Sequence, residues 1–491
     1  DLAADQETVL VGVGRLGLLG DVHQIREGVD ILGGVAGVRQ QLLVVHHDRH
    51  VAVVGSQVDV LAHLADGGGG GNDVVVKAVS HLAEVGQYAV LSELGHPGAV
   101  HHAQVVGANF VDGIQGGAGT SANMNANEVI ANRAIEILGG TKGDYTIVHP
   151  NDHVNMAQST NDVIPSAGKL TVLDLLPDLL HALESLHAAL LDKSQEFDHI
   201  LKMGRTQLED AVPMRLGQSF HAYATMIERD IRRIECARKE LFTLNLGGTA
   251  IGTTINASDY YLHHIVPTLA AVTGYPLMQA DDLFDATENL DGFVTISNTL
   301  KTCAVNLSKM CNDLRLLSSG PRTGFGEINL PPMQNGSSIM PGKINPVIPE
   351  VVTQVAFHVI GNDTTITMAA EAGQMELNAF EPVVFYSLFS SITSMTGAVN
   401  TLVKNCILGI TANEKRCEDL VSKSVGITTA LCPYIGYQKA ASIAKKSLKT
   451  GESVTSLVLK DELLTQKQLD DILDPYALTG PELPAEDDLA G

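Results

Sequence analysis

A chain of 491 residues that is 45% apolar is long enough for two or three domains around a sizeable core, which argues against a disordered polymer. Its formal charge of −24 and isoelectric point near 5 would repel a phosphate backbone, so nucleic acid is not an expected partner. The six cysteines (Cys236, Cys303, Cys311, Cys406, Cys417 and Cys432) form no C-x-x-C pair and read as free thiols of a reducing, cytoplasmic compartment. No basic segment followed by an apolar run opens the chain, so a secretory signal is not expected.

Residues 1–107 differ from the rest. They hold nine of the 18 histidines, a single lysine (Lys77), a single proline (Pro97) and no phenylalanine, with a five-glycine run at Gly67–Gly71. Thr8-Val9-Leu10-Val11 followed by Gly12-Val13-Gly14-Arg15-Leu16-Gly17, with Asp30 downstream, mimics a dinucleotide-binding fingerprint. Gly17 and Gly20 weaken the helix that should follow, and no second strand with an acidic end appears. Chance spacing in a glycine-rich stretch is the preferred account, and a nucleotide-binding module is the alternative. His46, His47, His50, His101 and His102 lack the carboxylate and cysteine company of a strong metal site.

From Gln115-Gly116-Gly117-Ala118-Gly119-Thr120-Ser121 onward the pattern becomes coherent. Val129, Ile130, Ala134, Ile135 and Leu138 recur at helical spacing across 123–139, which puts Thr120 at the mouth of a helix, where exposed N–H groups favour anions. A second polar turn covers His149–Asn155 and Gln158-Ser159-Thr160-Asn161-Asp162. Long helical runs follow at 169–196, 214–245, 285–318, 349–373 and 382–406, with shorter ones at 413–423 and 465–473 and an acidic, Pro-rich tail from Gly480 that is expected to fray. Rods of 25 residues or more suit an extended bundle, whose exposed apolar flanks favour association with copies of the same chain. The uncharged stretch 382–403 is long enough to span a bilayer, but its many Ser, Thr, Gly and Asn residues fit a buried helix of a bundle better, so no membrane is expected.

The stretch most suited to chemistry is Gly336-Ser337-Ser338-Ile339-Met340-Pro341-Gly342-Lys343-Ile344-Asn345-Pro346. An ordinary surface turn accounts for its glycines and prolines, but not for Ser-Ser, Lys and Asn together. Thr120-Ser121, Ser159-Thr160-Asn161 and Gly204-Arg205-Thr206-Gln207 are three further polar turns, each expected at a helix terminus. With the loop they offer hydroxyls, amides, N–H groups and one cation, a set that suits a small dicarboxylate. Taken singly, Thr120, Ser159 and Thr206 read as helix caps before they read as ligands.

The 336–346 run is similar to the mobile loop of the fumarase/aspartase superfamily, and residues 108 to about 480 resemble its ammonia-lyase branch, the matches continuing through Leu464-Thr465, Leu473-Asp474-Pro475 and Leu478-Thr479-Gly480-Pro481. Within the superfamily, Ser159-Thr160 stands where fumarases usually carry Ser-Ser, Gln207 where they carry a histidine, and Asn362–Glu371 has the aspartase wording. The resemblance implies a mainly α fold, a long-helix bundle whose central five helices pool in a homotetramer, with smaller N- and C-terminal domains: 1–160 (1–107 anomalous), 161–415 and 416–491. It implies reversible elimination of ammonium from L-aspartate to give fumarate, by removal of the C3 proton and an aci-carboxylate intermediate. Ser337 is then the proton acceptor, while Thr120, Ser159, Thr160, Asn161, Thr206, Ser338, Lys343 and Asn345 grip the substrate. No cofactor is required; activation by a divalent cation such as Mg2+ is left open.

A second expectation is a class II fumarase, and a third is an inactive helical scaffold. His153 reads as a base or as a hydrogen-bonded structural histidine. Glu350 matches the carboxylate that partners the fumarase histidine, and with Gln207 opposite, that relay cannot operate. Glu209 and Ser219 depart from the usual Gln and Glu. The Arg-Ala-x-x-Asn-Phe-like element that relatives carry ahead of the first polar turn is not found in 1–107, and the expectation is that this segment is a mistranslated or wrongly joined stretch.

Overall fold

The computed structural model describes residues 113–480, together with the backbone of two short strands, β1 (Val44–His47) and β2 (His50–Val53), which pair antiparallel. The fingerprint-like run 8–17, His101, His102 and the tail beyond Gly480 lie outside the described residues, as does the question of how 1–107 fold.

Helices dominate. α1 (Thr120–Ile137) precedes a single π-helical turn at Pro150–Val154 and then α2 (Thr160–Glu196). A hairpin of β3 (Leu201–Thr206) and β4 (Glu209–Arg215) follows, then α3 (Leu216–Ala237), β5 (Thr243–Leu244), α4 (Asp259–Thr273) and β6 (Met278–Gln279). After a four-residue helix, α5 (Asp285–Glu288), come α6 (Asp291–Leu317), β7 (Ile328–Asn329), α7 (Val347–Glu371) and α8 (Glu381–Asn405). The chain continues with β8 (Thr411–Ala412) and the short helices α9 (Glu414–Lys423), α10 (Thr428–Ile435), α11 (Tyr437–Thr450), α12 (Val454–Lys460), α13 (Gln466–Ile472) and α14 (Pro475–Thr479).

All five expected long helices form, with boundaries shifted for identifiable reasons. α2 starts nine residues earlier than leucine periodicity indicates, at Thr160, because its first turn is built on polar residues. It reaches 37 residues, about 55 Å at 1.5 Å per residue. The third run is split at Asn289, whose backbone is extended (φ −106°, ψ 139°). The run expected from 214 shortens to α3, since Met214 and Arg215 belong to β4 and the helix tightens to a 3-10 turn at Arg238–Phe242.

Chain contacts divide the described residues into two compact units. The first comprises 113–177, 235–298 and 361–393; the second comprises 178–234, 299–360 and 394–480. Within the first, Ile164, Leu173, Leu176, Phe293, Ile296, Ile366, Val384 and Leu388 are fully buried. Phe385 meets Phe293 edge-on at 5.2 Å and stacks on Phe389 at 5.8 Å. Gly168 leaves room for that ring, since a Cβ there would lie 2.4 Å from Phe385. A hydrogen bond from Ser297 Oγ to Asp363 Oδ1 (2.7 Å) ties α6 to α7, and Asn362 Nδ2 donates to Ser391 Oγ (3.0 Å) on α8. α8 thus owes its apolar length to packing contacts of this kind, with 61% of its most apolar window buried.

In the second unit, Leu183, Leu186 and Leu190 of α2, Phe220, Ile227 and Ile234 of α3, Leu307 and Leu314 of α6 and Val399 and Leu402 of α8 are buried. Tyr223 Oη donates to Asp313 (3.0 Å), and the buried Asp230 accepts from Asn306 and Arg233. The short C-terminal helices enclose a core of their own around Leu431, Ile443, Leu457, Val458 and Leu469. All six cysteines are free thiols.

Candidate functional site

In the first unit the glycine turn reverses the chain through consecutive positive φ angles at Gly117 (84°), Ala118 (54°) and Gly119 (85°). A Cβ on Gly119 would also stand 3.1 Å from Ile164, so glycine is required there twice over. Thr120 opens α1, exposed, with its hydroxyl donating to Gly117 O at 2.7 Å. One turn on, the buried Asn123 donates to Thr160 Oγ1 (2.9 Å) and to Asn155 Oδ1 (3.3 Å), and Asn127 also reaches Asn155 Oδ1 (3.0 Å). These amides bring the helix bearing Thr120 against the Ser159-Thr160-Asn161 turn.

That turn is braced from below by Asp162, which is fully buried. Its Oδ1 accepts the Ser159 N–H (3.0 Å), and its Oδ2 accepts those of Gly247 (3.1 Å) and Thr249 (2.9 Å). Burial pushes its carboxyl up to about 7 against the pull of those N–H groups. Ser159 Oγ accepts from the Asn161 N–H (3.2 Å), the Asn161 side chain donates to Ala250 O (2.7 Å), and Asn245 returns a bond to Asn161 O (2.9 Å). The segment 245–250 therefore lies along the polar turn. His153 is structural in part, because its Nδ1 accepts the His149 N–H at 2.8 Å.

In the second unit Thr206 and Glu209 are the last opposed pair of the β3–β4 hairpin. The two residues between them, Gln207 (φ 55°) and Leu208 (φ 67°), are both left-handed, the turn that matches strand twist but that side-chain-bearing residues adopt at a cost. Thr206 thus stands beside a hairpin tip and not, as expected, at a helix terminus. Glu350, in the first turn of α7, lies 3.7 Å from Arg315.

The 336–346 loop is closed on itself. The Gly336 N–H donates to Lys343 O (2.9 Å), and the Asn345 side chain donates to Gly336 O (2.8 Å). A Cβ on Gly336 would meet Lys343 O at 2.1 Å, and Gly342 has φ 77°. Inside this ring, Ser337 Oγ accepts the N–H groups of Ile339 (3.2 Å) and Met340 (3.0 Å). Two converging dipoles of this kind favour a hydroxyl oxygen that carries negative charge. Ser338 and Lys343 are exposed on the loop, and Ile339 is 83% exposed. Among the described residues, no group of three or more His, Cys, Asp or Glu side chains is arranged to hold a metal ion.

The structure therefore gathers Thr120, Ser159, Thr160 and Asn161 in one unit and Ser337, Ser338, Lys343 and Asn345 on one loop of the other, with Thr206 beside the hairpin tip of the latter unit. Sequence reasoning assigns no role to Asn123, or to Asn155 and Asp162 within the second polar turn, and does not single out the 245–250 segment, whose signal is the glycine pair Gly247-Gly248. It also missed Glu327, a buried acid in a stretch with no helical period.

A family model described as lyase matches residues 94–361, beginning ahead of residue 108, and one described as the fumarase C C-terminus matches 427–480. The chain is 54% identical over 372 residues to an aspartate ammonia-lyase of Bacillus subtilis, covering 76% of this chain and 78% of the relative. It is 57% identical over 374 residues to one of Pseudomonas aeruginosa, covering 76% and 79%. Among solved structures, a Brucella melitensis protein titled fumarate lyase:delta crystallin, bound to cobalt, superposes with a TM-score of 0.75 at 42% identity, covering 90% of this chain and all of that one. A class II fumarase from Schistosoma mansoni gives 0.72 at 29% identity, covering 89% and 98%.

Proposed function

The chain belongs to the aspartate ammonia-lyases of the fumarase/aspartase superfamily, and from that premise we propose how its own residues convert L-aspartate to fumarate and ammonium. Removing the C3 proton leaves a pair of electrons that the adjacent carboxylate takes up as a doubly charged aci-carboxylate. That pair then forms the C2–C3 double bond as the C2–N bond breaks; the –NH3+ group leaves as ammonia with the bonding electrons and becomes ammonium by taking up the proton removed from C3. Pre-aimed donors at the developing charge are the main source of acceleration, each worth about 2.7–4 kcal/mol in comparable sites.

Ser337 accepts the proton. The observation that carries this role is the pair of N–H groups, from Ile339 and Met340, converging on its Oγ, which lowers the cost of holding the hydroxyl as an alkoxide. Lys343, exposed on the same loop, supplies the cation. Thr120, Ser159, Thr160, Asn161, Thr206, Ser338 and Asn345 bind the carboxylates and the amine, and closure of the loop over substrate excludes water.

The reaction needs no organic cofactor, and the role left to a divalent cation such as Mg2+ is that of an activator. The working form is a cytoplasmic homotetramer, supported by the apolar side chains that α7 leaves exposed, Phe357 (63%) and Met368 (67%). The test is a side-by-side assay with aspartate, malate and argininosuccinate, following the ultraviolet absorbance of fumarate. Fumarate from aspartate supports the reading, while consumption of malate alone replaces it with fumarase.

A further inference from the structure

The Thr206 end of the hairpin and β7, the strand that precedes the 336–346 loop, share one buried support in the second unit. Glu327 is completely buried; its Oε1 accepts from Arg205 Nη1 at 2.7 Å, and its Oε2 faces Lys202 Nζ at 3.4 Å. Arg205 immediately precedes Thr206, and its guanidinium lies 4.3 Å over the ring of Phe325. The backbone of Glu327 is pinned as firmly: its N–H donates to Leu317 O (2.9 Å) and its carbonyl accepts from Asn413 (2.8 Å). The next two residues form β7, which pairs with β8.

A buried acid–base pair is a poor source of stability, because desolvation offsets the attraction, but it fixes geometry where apolar groups would slide. The hairpin tip needs such fixing, since Gln207 and Leu208 are held left-handed without glycine. We propose that Glu327 is a positioning residue for the aspartate site, setting Thr206 through Arg205 and the approach to the 336–346 loop through the adjoining strand β7, so that the two segments keep one register. This rests on the ammonia-lyase reading of Thr206 and the loop.

The test compares Glu327→Gln, and the charge-balanced Lys202→Met/Glu327→Gln, with the unaltered protein. KM and kcat for aspartate are measured, and amide exchange is followed by mass spectrometry over 201–215, 336–346 and, as an internal control, 427–472. The expected result is a KM for aspartate raised at least tenfold with a smaller fall in kcat, and faster exchange in both 201–215 and 336–346 while the control is unchanged. Kinetic constants within twofold of the original in a variant with intact control exchange, or faster exchange in only one of the two segments, overturns the proposal. An unaltered protein inactive on aspartate removes the substrate reading alone, and the paired exchange still decides whether Glu327 couples the segments.

Discussion

Replacing Asp162 by Asn tests the physical account of the polar turn most directly. The carboxylate accepts three backbone N–H groups and is fully buried, with its ionisation moved from 3.8 to about 7 by desolvation. An acid whose pKa is raised on folding contributes stability that is fully present below its unfolded value and is lost as pH rises through the folded one. The window here runs from about 3.8 to about 7, and the whole effect is about 4 kcal/mol. Between pH 5 and pH 8 the loss is about 2.5 kcal/mol, since the unfolded chain is already ionised at the lower pH. Asparagine keeps one acceptor oxygen and turns an NH2 toward N–H donors, at about 1–3 kcal/mol for each donor left unpaired. The variant is therefore the less stable protein at pH 5, and the gap to the original narrows by about 2.5 kcal/mol at pH 8. Urea unfolding at the two pH values measures this. A gap that stays constant or widens refutes the argument, because it means that the three N–H groups outweigh desolvation and the group is ionised throughout.

Ser337→Ala is expected to abolish fumarate formation while costing about 1 kcal/mol or less of stability, the worth of one lost cap, as read by activity and thermal unfolding together. Gly336→Ala places a methyl 2.1 Å from Lys343 O and opens the loop, so activity falls with little change in the unfolding midpoint of the bundle. Gly168→Ala drives a methyl into the Phe385 ring and should lower stability by about 1–3 kcal/mol, measured by urea titration. A drop in activity without that loss would place the residue in the site instead of the core.

Much of the bundle was legible because its helices are long. Over 25 residues the 3.6-residue apolar period repeats seven times, and local exceptions average out, as at the 349–373 run, which differs from α7 by two residues at each end. Polar termini were legible only when a helix followed. Thr120 and Thr160 were placed correctly, whereas Thr206 was assigned to a helix end because a Gly-Arg-Thr-Gln string looks the same beside a hairpin tip. The pairing of Leu201 with Arg215 depends on partners 14 positions apart that leave no periodic trace in so short a stretch. The acids Asp162 and Glu327 were overlooked for a related reason, since nothing local distinguishes a solvated carboxylate from one buried beneath three amides or two cations.

The sequence by itself determined the helical periodicity, the loop chemistry of 336–346 and the family wording of two polar turns and of 362–371, because these are properties of residues near one another along the chain. Only the tertiary structure decided that Asn123 carries α1 onto Thr160, that Asp162 braces that turn against 247–249, and that Ser337 Oγ receives two N–H groups within a closed ring. Hydrogen bonds between distant segments act over about 3 Å and depend on direction, so they exist only once packing has fixed where each backbone runs.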